Sequence, residues 1–230
     1  MRLPKLREEV LEANLELVRR GLVLYTFGNA SGIAREEGLV VIKPSGVPYE
    51  TMKPEDLVVV GLDGSIVEGD LRPSSDLATH LVLYRSFAGI GGVVHTHSRY
   101  ATSWAQARRP IPCLGTTHAD YFRGPVPVTR AMSPREIDAA YEANTGEVIA
   151  RHFAGGSPTE VPAVLVAGHG PFCWGPSAAE ATHNAVILEY VAEMAYYSVT
   201  LAEAAEELHP AHLDKHFLRK HGVSAYYGQK

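Results

Sequence analysis

The feature that most constrains this chain is an apolar run, residues 91–95, that delivers His95-Thr96-His97 at its end. Read as a strand, the run points side chains i and i+2 to one face, so both imidazoles reach toward one point. A second apolar run, residues 161–167, leads into Gly168-His169-Gly170, where the glycines remove bulk and permit a sharp turn. If the two strands are neighbours, three imidazoles converge at one sheet edge. Three nitrogen ligands with an open position describe a catalytic, zinc-type site. The same residues also admit a plainer reading, exposed strand-end histidines and an unrelated turn histidine, and spacing alone does not choose between them.

The rest of the pattern alternates helix and strand. Apolar spacing predicts a helix over residues 3–20, with Leu6, Val10, Leu17 and Val18 on one face and Gly21 as its stop. Further helices are expected at residues 76–87, capped by serine or aspartate of Pro73-Ser74-Ser75-Asp76, at 99–107, at 134–152 after Ser133-Pro134, at 177–207 and at 212–221. Residues 39–42, 57–60 and 65–67 read as strands, the last two joined by Asp63-Gly64 as a hairpin turn with both positions at positive φ. Residues 26–32 read as a polar, glycine-containing connection, and 110–132 as a mixture of turns and short β-like pieces. This predicts one α/β domain over residues 1–230, with helices on both faces of a sheet that is in part antiparallel.

Composition removes several function classes. The formal net charge of −5 and pI of about 6.1 disfavour a nucleic-acid partner. No apolar run approaches the ~20 residues of a membrane helix, and the charged N-terminus lacks a signal-peptide core. Cys113 and Cys173 lie far apart and form no disulfide framework, which points to a reducing cytoplasm. Of the remaining histidines, His80, His152, His183 and His209 lack ligand spacing and read as surface or core residues. Cys173 is a soft ligand or, more simply, a small buried hydrophobe.

Three segments combine small residues with hydroxyl or amide groups: Gly28-Asn29, Ser45-Gly46 and Ser74-Ser75. Each is an ordinary turn or cap on its own, yet each can present donors to an anion, and Lys43 can add a full charge.

The set Gly28-Asn29-Ala30-Ser31, Lys43-Pro44-Ser45-Gly46, Pro73-Ser74-Ser75-Asp76, His95-Thr96-His97-Ser98 and Gly168-His169-Gly170-Pro171 resembles the class II aldolase superfamily. Gly115-Thr116-Thr117-His118-Ala119-Asp120-Tyr121-Phe122 and Tyr226-Tyr227-Gly228-Gln229 narrow the resemblance to its L-ribulose-5-phosphate 4-epimerases. The motifs occur in the same order over nearly the whole chain. The resemblance implies a three-layer α/β/α domain with a mostly antiparallel mixed sheet. It implies a cytoplasmic homotetramer with active sites between subunits, the C-terminal helical tail, about residues 210–230, reaching the neighbour's site. It assigns His95, His97 and His169 to a divalent metal, usually zinc, with Asp76 close by. It places the substrate phosphate at Gly28, Asn29, Lys43, Ser45, Gly46, Ser74 and Ser75. Asp120 and Tyr227 become the acid/base pair, with Tyr227 from the adjacent subunit, supported by Thr116 and His216. Read without the resemblance, Asp120 is a turn aspartate and Tyr227 a frayed terminal residue.

The implied reaction inverts C4 of a pentulose phosphate. The C4 hydrogen is β to the C2 ketone, so its removal gives no enolate, whereas opening C3–C4 sends electrons into the carbonyl. Rotation of the released aldehyde and re-addition then give the epimer. The alternatives are an aldolase of the fuculose- or rhamnulose-phosphate type, which releases its fragments, and a non-catalytic binding module. Arabinose and ascorbate catabolism both use such an epimerase, and the sequence does not choose.

Overall fold

The computed structural model of the protein describes residues 1–202, 204–223 and 225–228. Seven strands form one sheet: β1 (Gly28–Ala34), β2 (Leu39–Ile42), β3 (Val58–Gly61), β4 (Ile66–Glu68), β5 (Gly92–Thr96), β6 (Ala163–Leu165) and β7 (Pro171–Gly175). Their spatial order is β4-β3-β2-β1-β5-β7-β6, and every ladder is antiparallel. A single parallel bridge, Val128 to Leu165, is added at the β6 edge. Seven helices among the described residues accompany the sheet: α1 (Pro4–Arg19), α2 (Leu77–Ser86), α3 (Arg99–Gln106), α4 (Thr116–Ala119), α5 (Pro134–His152), α6 (Ala178–Leu201) and α7 (Pro210–His221).

β2, β3 and β6 read as continuous apolar runs because both faces are covered. Val41, Val59, Val94, Leu165 and Cys173 face a core shared with α1, α3 and α6. Val40, Ile42, Val60, Val93, Phe172 and Trp174 face a second core with α2 and α5. This is the three-layer α/β/α arrangement expected. No helix of the described residues is long and apolar enough to cross a membrane.

Several local expectations are revised. Most of the connection expected at residues 26–32 is instead β1, the central strand. Its small residues fit beneath α1: a Cβ on Gly32 would come within 2.9 Å of Leu6 and Val10. β7 is a further strand, and it is the one that pairs with β5. The β3–β4 hairpin forms, but only Gly64 has positive φ (+89°), while Asp63 Oδ1 accepts from the Ser65 amide and hydroxyl. On α1, Val18 is 37% exposed, and Arg7 and Asn14 take buried positions instead. Arg7 is matched to the carbonyls of Pro54 and Leu57 and to Glu68. α6 stops at Leu201, which is 87% exposed, rather than at 207. No described residue buries Leu201, and an extension would bring Glu206 and Glu207 to the negative end of the helix dipole.

α5 begins as expected, with a capping box in which Ser133 and Glu136 satisfy each other's amides behind Pro134. At Ala140 it kinks (φ −146°, ψ 72°), and the Asn144 amide reaches back to the Glu136 carbonyl at 2.8 Å.

Candidate metal centre and anion cradle

The antiparallel register places the site at one end of the sheet. Asn29 of β1 lies opposite His95 of β5, and His95 lies opposite Phe172 of β7. Directly opposed residues share a face, so Asn29, His95 and Phe172 form a row, and the His95 ring stacks on Phe172 at 4.2 Å. His97 follows just beyond β5. His169 arrives from the β6–β7 turn, not from the end of a strand adjacent to β5.

The three imidazoles converge. Ring centroids are 4.7 to 5.1 Å apart, and one nitrogen from each lies within 4.8 Å of the others. His95 Nδ1 faces the Pro171 carbonyl at 2.9 Å. That carbonyl accepts the ring proton, so Nε2 presents its lone pair to His97 Nε2, 3.1 Å away. A His97 Nε2–H can donate to that lone pair, and a cation placed between the two nitrogens would take its place. Nitrogens at zinc-like bond lengths of about 2.0–2.1 Å in tetrahedral array stand roughly 3.3 Å apart, so the cluster suits a divalent ion. Burial lowers the pKa of all three histidines, most strongly that of His95, which keeps them neutral and able to ligate. His169 Nδ1 is 3.2 Å from the Tyr141 hydroxyl. Gly170 permits the close passage of the turn: a Cβ there would lie 2.9 Å from the Thr96 carbonyl oxygen.

Asp76 stands beside the cluster. It occupies the N-cap position of α2 without capping, and its carboxylate instead accepts from Asn29 Nδ2 at 2.7 Å. Burial opposes its ionisation, but His95 and His80, where protonated, and the Asn29 amide outweigh that and bring its pKa below the usual range. Asn29 also donates to Ser74 Oγ at 3.0 Å, while its own Oδ1 is buried without a partner among the described residues. Behind it, the Asn14 amide closes both the N–H and the C=O of Ala30, which fixes this part of β1.

The loops carrying the other cradle residues are zipped together. Ser45 N–H donates to the Arg72 carbonyl, Ser74 N–H donates to that of Lys43, and Pro44 bridges Pro73. Lys43 is buried with no carboxylate partner among the described residues. Its ammonium meets the carbonyls of Pro44 and Val47 and lies 4.7 Å over the Tyr49 ring. Burial pushes its pKa down to about 8. Together these residues line one cavity of about 390 Å³ that holds Gly28, Asn29, Lys43, Ser45, Gly46, Ser74, Ser75, Asp76, His95, His97 and His169. Pro44 also lines it, and Thr26, Phe27, Tyr141 and Glu142 complete its wall. Sequence reasoning misses these last four; the α5 kink that precedes Tyr141 and Glu142 leaves no mark in the helical spacing.

Asp120, Thr116, His216 and Tyr227 do not line this cavity. They belong to a second cluster where α4 meets α7. Asp120, which follows α4, accepts from His216 Nδ1 at 3.0 Å and from Arg219 at 3.0 and 2.7 Å. Burial opposes its ionisation, but Arg219, His216 and Lys220 hold its pKa below the ordinary carboxylate range. The Thr116 carbonyl accepts the Asp120 amide at 2.9 Å. Tyr227 is 59% exposed and lies against Arg219 and Lys220; Gln229 of the same motif falls outside the described residues. His80 is a core residue held by Ser31, with Nε2 unpartnered among the described residues, and His152, His183 and His209 are exposed. Cys173 faces the opposite core from the imidazoles, as a small hydrophobe.

Residues 8–196 match the family described as Class II Aldolase and Adducin N-terminal domain. The chain belongs to this family of class II aldolases. An L-ribulose-5-phosphate 4-epimerase, UlaF, of Salmonella paratyphi C is 55% identical over 226 residues, covering 98% of this chain and 99% of its own length. An L-fuculose 1-phosphate aldolase of known structure superposes with a TM-score of 0.78 at 26% identity, covering 92% of this chain and 94% of its own. The L-fuculose-1-phosphate aldolase from Thermus thermophilus gives a TM-score of 0.68 at 26% identity, with 89% and 99% covered.

Proposed function

We propose that the protein is a metal-dependent isomerase of carbohydrate metabolism that interconverts L-ribulose 5-phosphate and D-xylulose 5-phosphate at C4. The observation that carries this reading is one cavity holding both a three-imidazole cluster and a buried lysine, without a carboxylate partner among the described residues, amid small polar loops. The 55% identity to a protein named for that reaction supports the same choice.

His95, His97 and His169, with Asp76 beside them, would hold the divalent ion, zinc in our reading, which supplies Lewis acidity for the charge that develops as C3–C4 opens. Lys43, with the donors of Asn29, Ser45, Gly46, Ser74 and Ser75, grips the substrate phosphate, and Gly28 lines the same cavity. The phosphate belongs to the two-carbon fragment, so the cradle retains the aldehyde while it rotates. Asp120 and Tyr227 take and return the C4 hydroxyl proton on opposite faces of that aldehyde, with Thr116 and His216 supporting them. Their absence from the cavity wall of one chain, and the bonds that tie Asp120 to α7, favour a homotetramer in which Asp120 and the tail, about residues 210–230, together complete a neighbour's site. A reducing cytoplasm and L-arabinose or related pentose catabolism suit such an enzyme.

The test is a coupled assay for D-xylulose 5-phosphate, run with and without chelator. Turnover that chelation abolishes and zinc restores is the expected result. Accumulation of free two- and three-carbon fragments would make the protein an aldolase. Absence of both turnover and bound metal would make it a binding module.

A further inference from the structure

Arg219 touches both residues proposed to carry protons. Its Nε and Nη2 donate to Asp120 Oδ1 at 3.0 Å and to Oδ2 at 2.7 Å. Its guanidinium lies 4.8 Å from the centroid of the Tyr227 ring. Its own carbonyl accepts the amides of Tyr226 and Tyr227 at 3.0 and 3.1 Å. Asp120 is thus fixed from one side of this residue and the tyrosine from the other.

The neighbouring side chains hold Asp120 at single points. His216 Nδ1 reaches Oδ1 at 3.0 Å, Lys220 Nζ stands 3.8 Å from Oδ2, and His221 Nε2 meets the Asp120 carbonyl at 2.9 Å. Lys220 also lies over the rings of Tyr121 and Tyr227. A planar fork sets the plane and rotation of a carboxylate, which a point charge does not. Tyr227 is largely exposed, so side-chain burial does not seat it.

We propose that Arg219 is a positioning residue for proton transfer, fixing the orientation of the Asp120 carboxylate and the seat of Tyr227 relative to it. The proposal rests on the reading that Asp120 and Tyr227 are the acid/base pair. Two groups that act on opposite faces of one aldehyde must keep a set separation; Lys220 also reaches both, 3.8 Å from Asp120 Oδ2 and 4.5 Å over the Tyr227 ring, but as a point charge, whereas Arg219 spans them with a two-point fork. Two other contacts, the burial of Phe217 and the Arg123–Asp214 pair, keep α7 docked when Arg219 is altered.

The experiment compares Arg219→Gln and Arg219→Lys with Asp120→Asn and Tyr227→Phe in the full-length, metal-loaded protein. Arg219→Gln should lower kcat by about 100-fold, the scale of a 1 Å misplacement, with KM nearly unchanged and with metal content and circular dichroism intact. The acid limb of its kcat–pH profile should move to higher pH, because Asp120 loses its strongest cationic partner. Arg219→Lys should restore the acid limb but not the rate, since it returns the charge without the fork; if Arg219→Gln fails to fold, this variant carries the test. An unchanged kcat in folded Arg219 variants, while Asp120→Asn and Tyr227→Phe are slow, overturns this inference alone. Unchanged kcat in both Asp120→Asn and Tyr227→Phe overturns the acid/base reading and the inference with it.

Discussion

Gly170→Ala isolates the packing on which the imidazole cluster depends. Gly170 has no positive φ, so alanine is compatible with its backbone. Considered through the unfolded chain alone, the change should stabilise the protein by about 0.4–1 kcal/mol. The surroundings reverse that sign. The added Cβ would lie 2.9 Å from the Thr96 carbonyl oxygen and 3.5 Å from His95 Cε1. Carbon–oxygen contacts normally begin near ~3.3 Å, so the β6–β7 turn must retreat by roughly 0.4 Å from the end of β5. Metal–ligand distances tolerate only about ±0.2 Å, and His169 is carried on that turn. The expected outcome is a loss of metal affinity of about 10–100-fold, the scale of other indirect damage to such sites. The metal-free protein should lose about 1–3 kcal/mol as an overpacked core does. Chelator-competition titration reads the first effect and urea unfolding of the apo protein reads the second. A variant that binds metal like the parent and unfolds at equal or higher urea would refute the reasoning, because the contact would then exert no force on the cluster.

Lys43→Gln should raise KM for the phosphate substrate by about 10–100-fold, matching the ~1.5–3 kcal/mol of a charged hydrogen bond, while kcat changes less; an unaltered KM would remove Lys43 from the cradle. In the parent, the same KM should climb above pH 8 as the buried ammonium, whose pKa is about 8, loses its proton. Burial also pulls the pKa of His80 and of His118 down to about 4. The unfolded chain binds these protons near pH ~6.5, so apo stability should be full above that pH and fall by about 3 kcal/mol per histidine toward pH ~4; a flat urea-unfolding profile across that window would contradict it.

The legible parts of this molecule are those whose side chains announce a period or a cap. α5 begins at Ser133-Pro134 because its capping box is written in four consecutive residues, and β2 and β3 are apolar because both faces are buried. β1 is hidden because the residues that let α1 approach are small and polar, so the central strand carries no alternation. His95 and His97 can be paired from strand geometry alone. Their union with His169 cannot, since it depends on β7, a strand that opens with a proline directly after a glycine turn. Tyr141 and Glu142 owe their place on the cavity wall to a kink with no proline or glycine to mark it. Asp120 reads as a turn residue because its partners, His216 and Arg219, lie 96 and 99 positions away.

Strand order assigns the two ends of the cavity different tasks. The loops with Lys43, Ser45 and Ser74 hang from the β2 side of β1, the imidazoles from β5 and the β6–β7 turn, and Asn29 stands between them, bonded to Ser74 and Asp76. On the proposed reading the phosphate therefore sits on the β2 side, and the carbonyl that receives the C3–C4 electrons sits on the β5 side. The fragment that must turn over is the one gripped through its phosphate, at a distance from the carbon that rotates. A grip on that remote group restrains escape without restraining rotation about the bonds between phosphate and aldehyde. An aldolase needs the opposite, a fragment free to leave. The strength of the Lys43 grip, more than the imidazole cluster that both chemistries share, then decides which product appears, and weakening it should shift the ratio of released aldehyde to epimer upward.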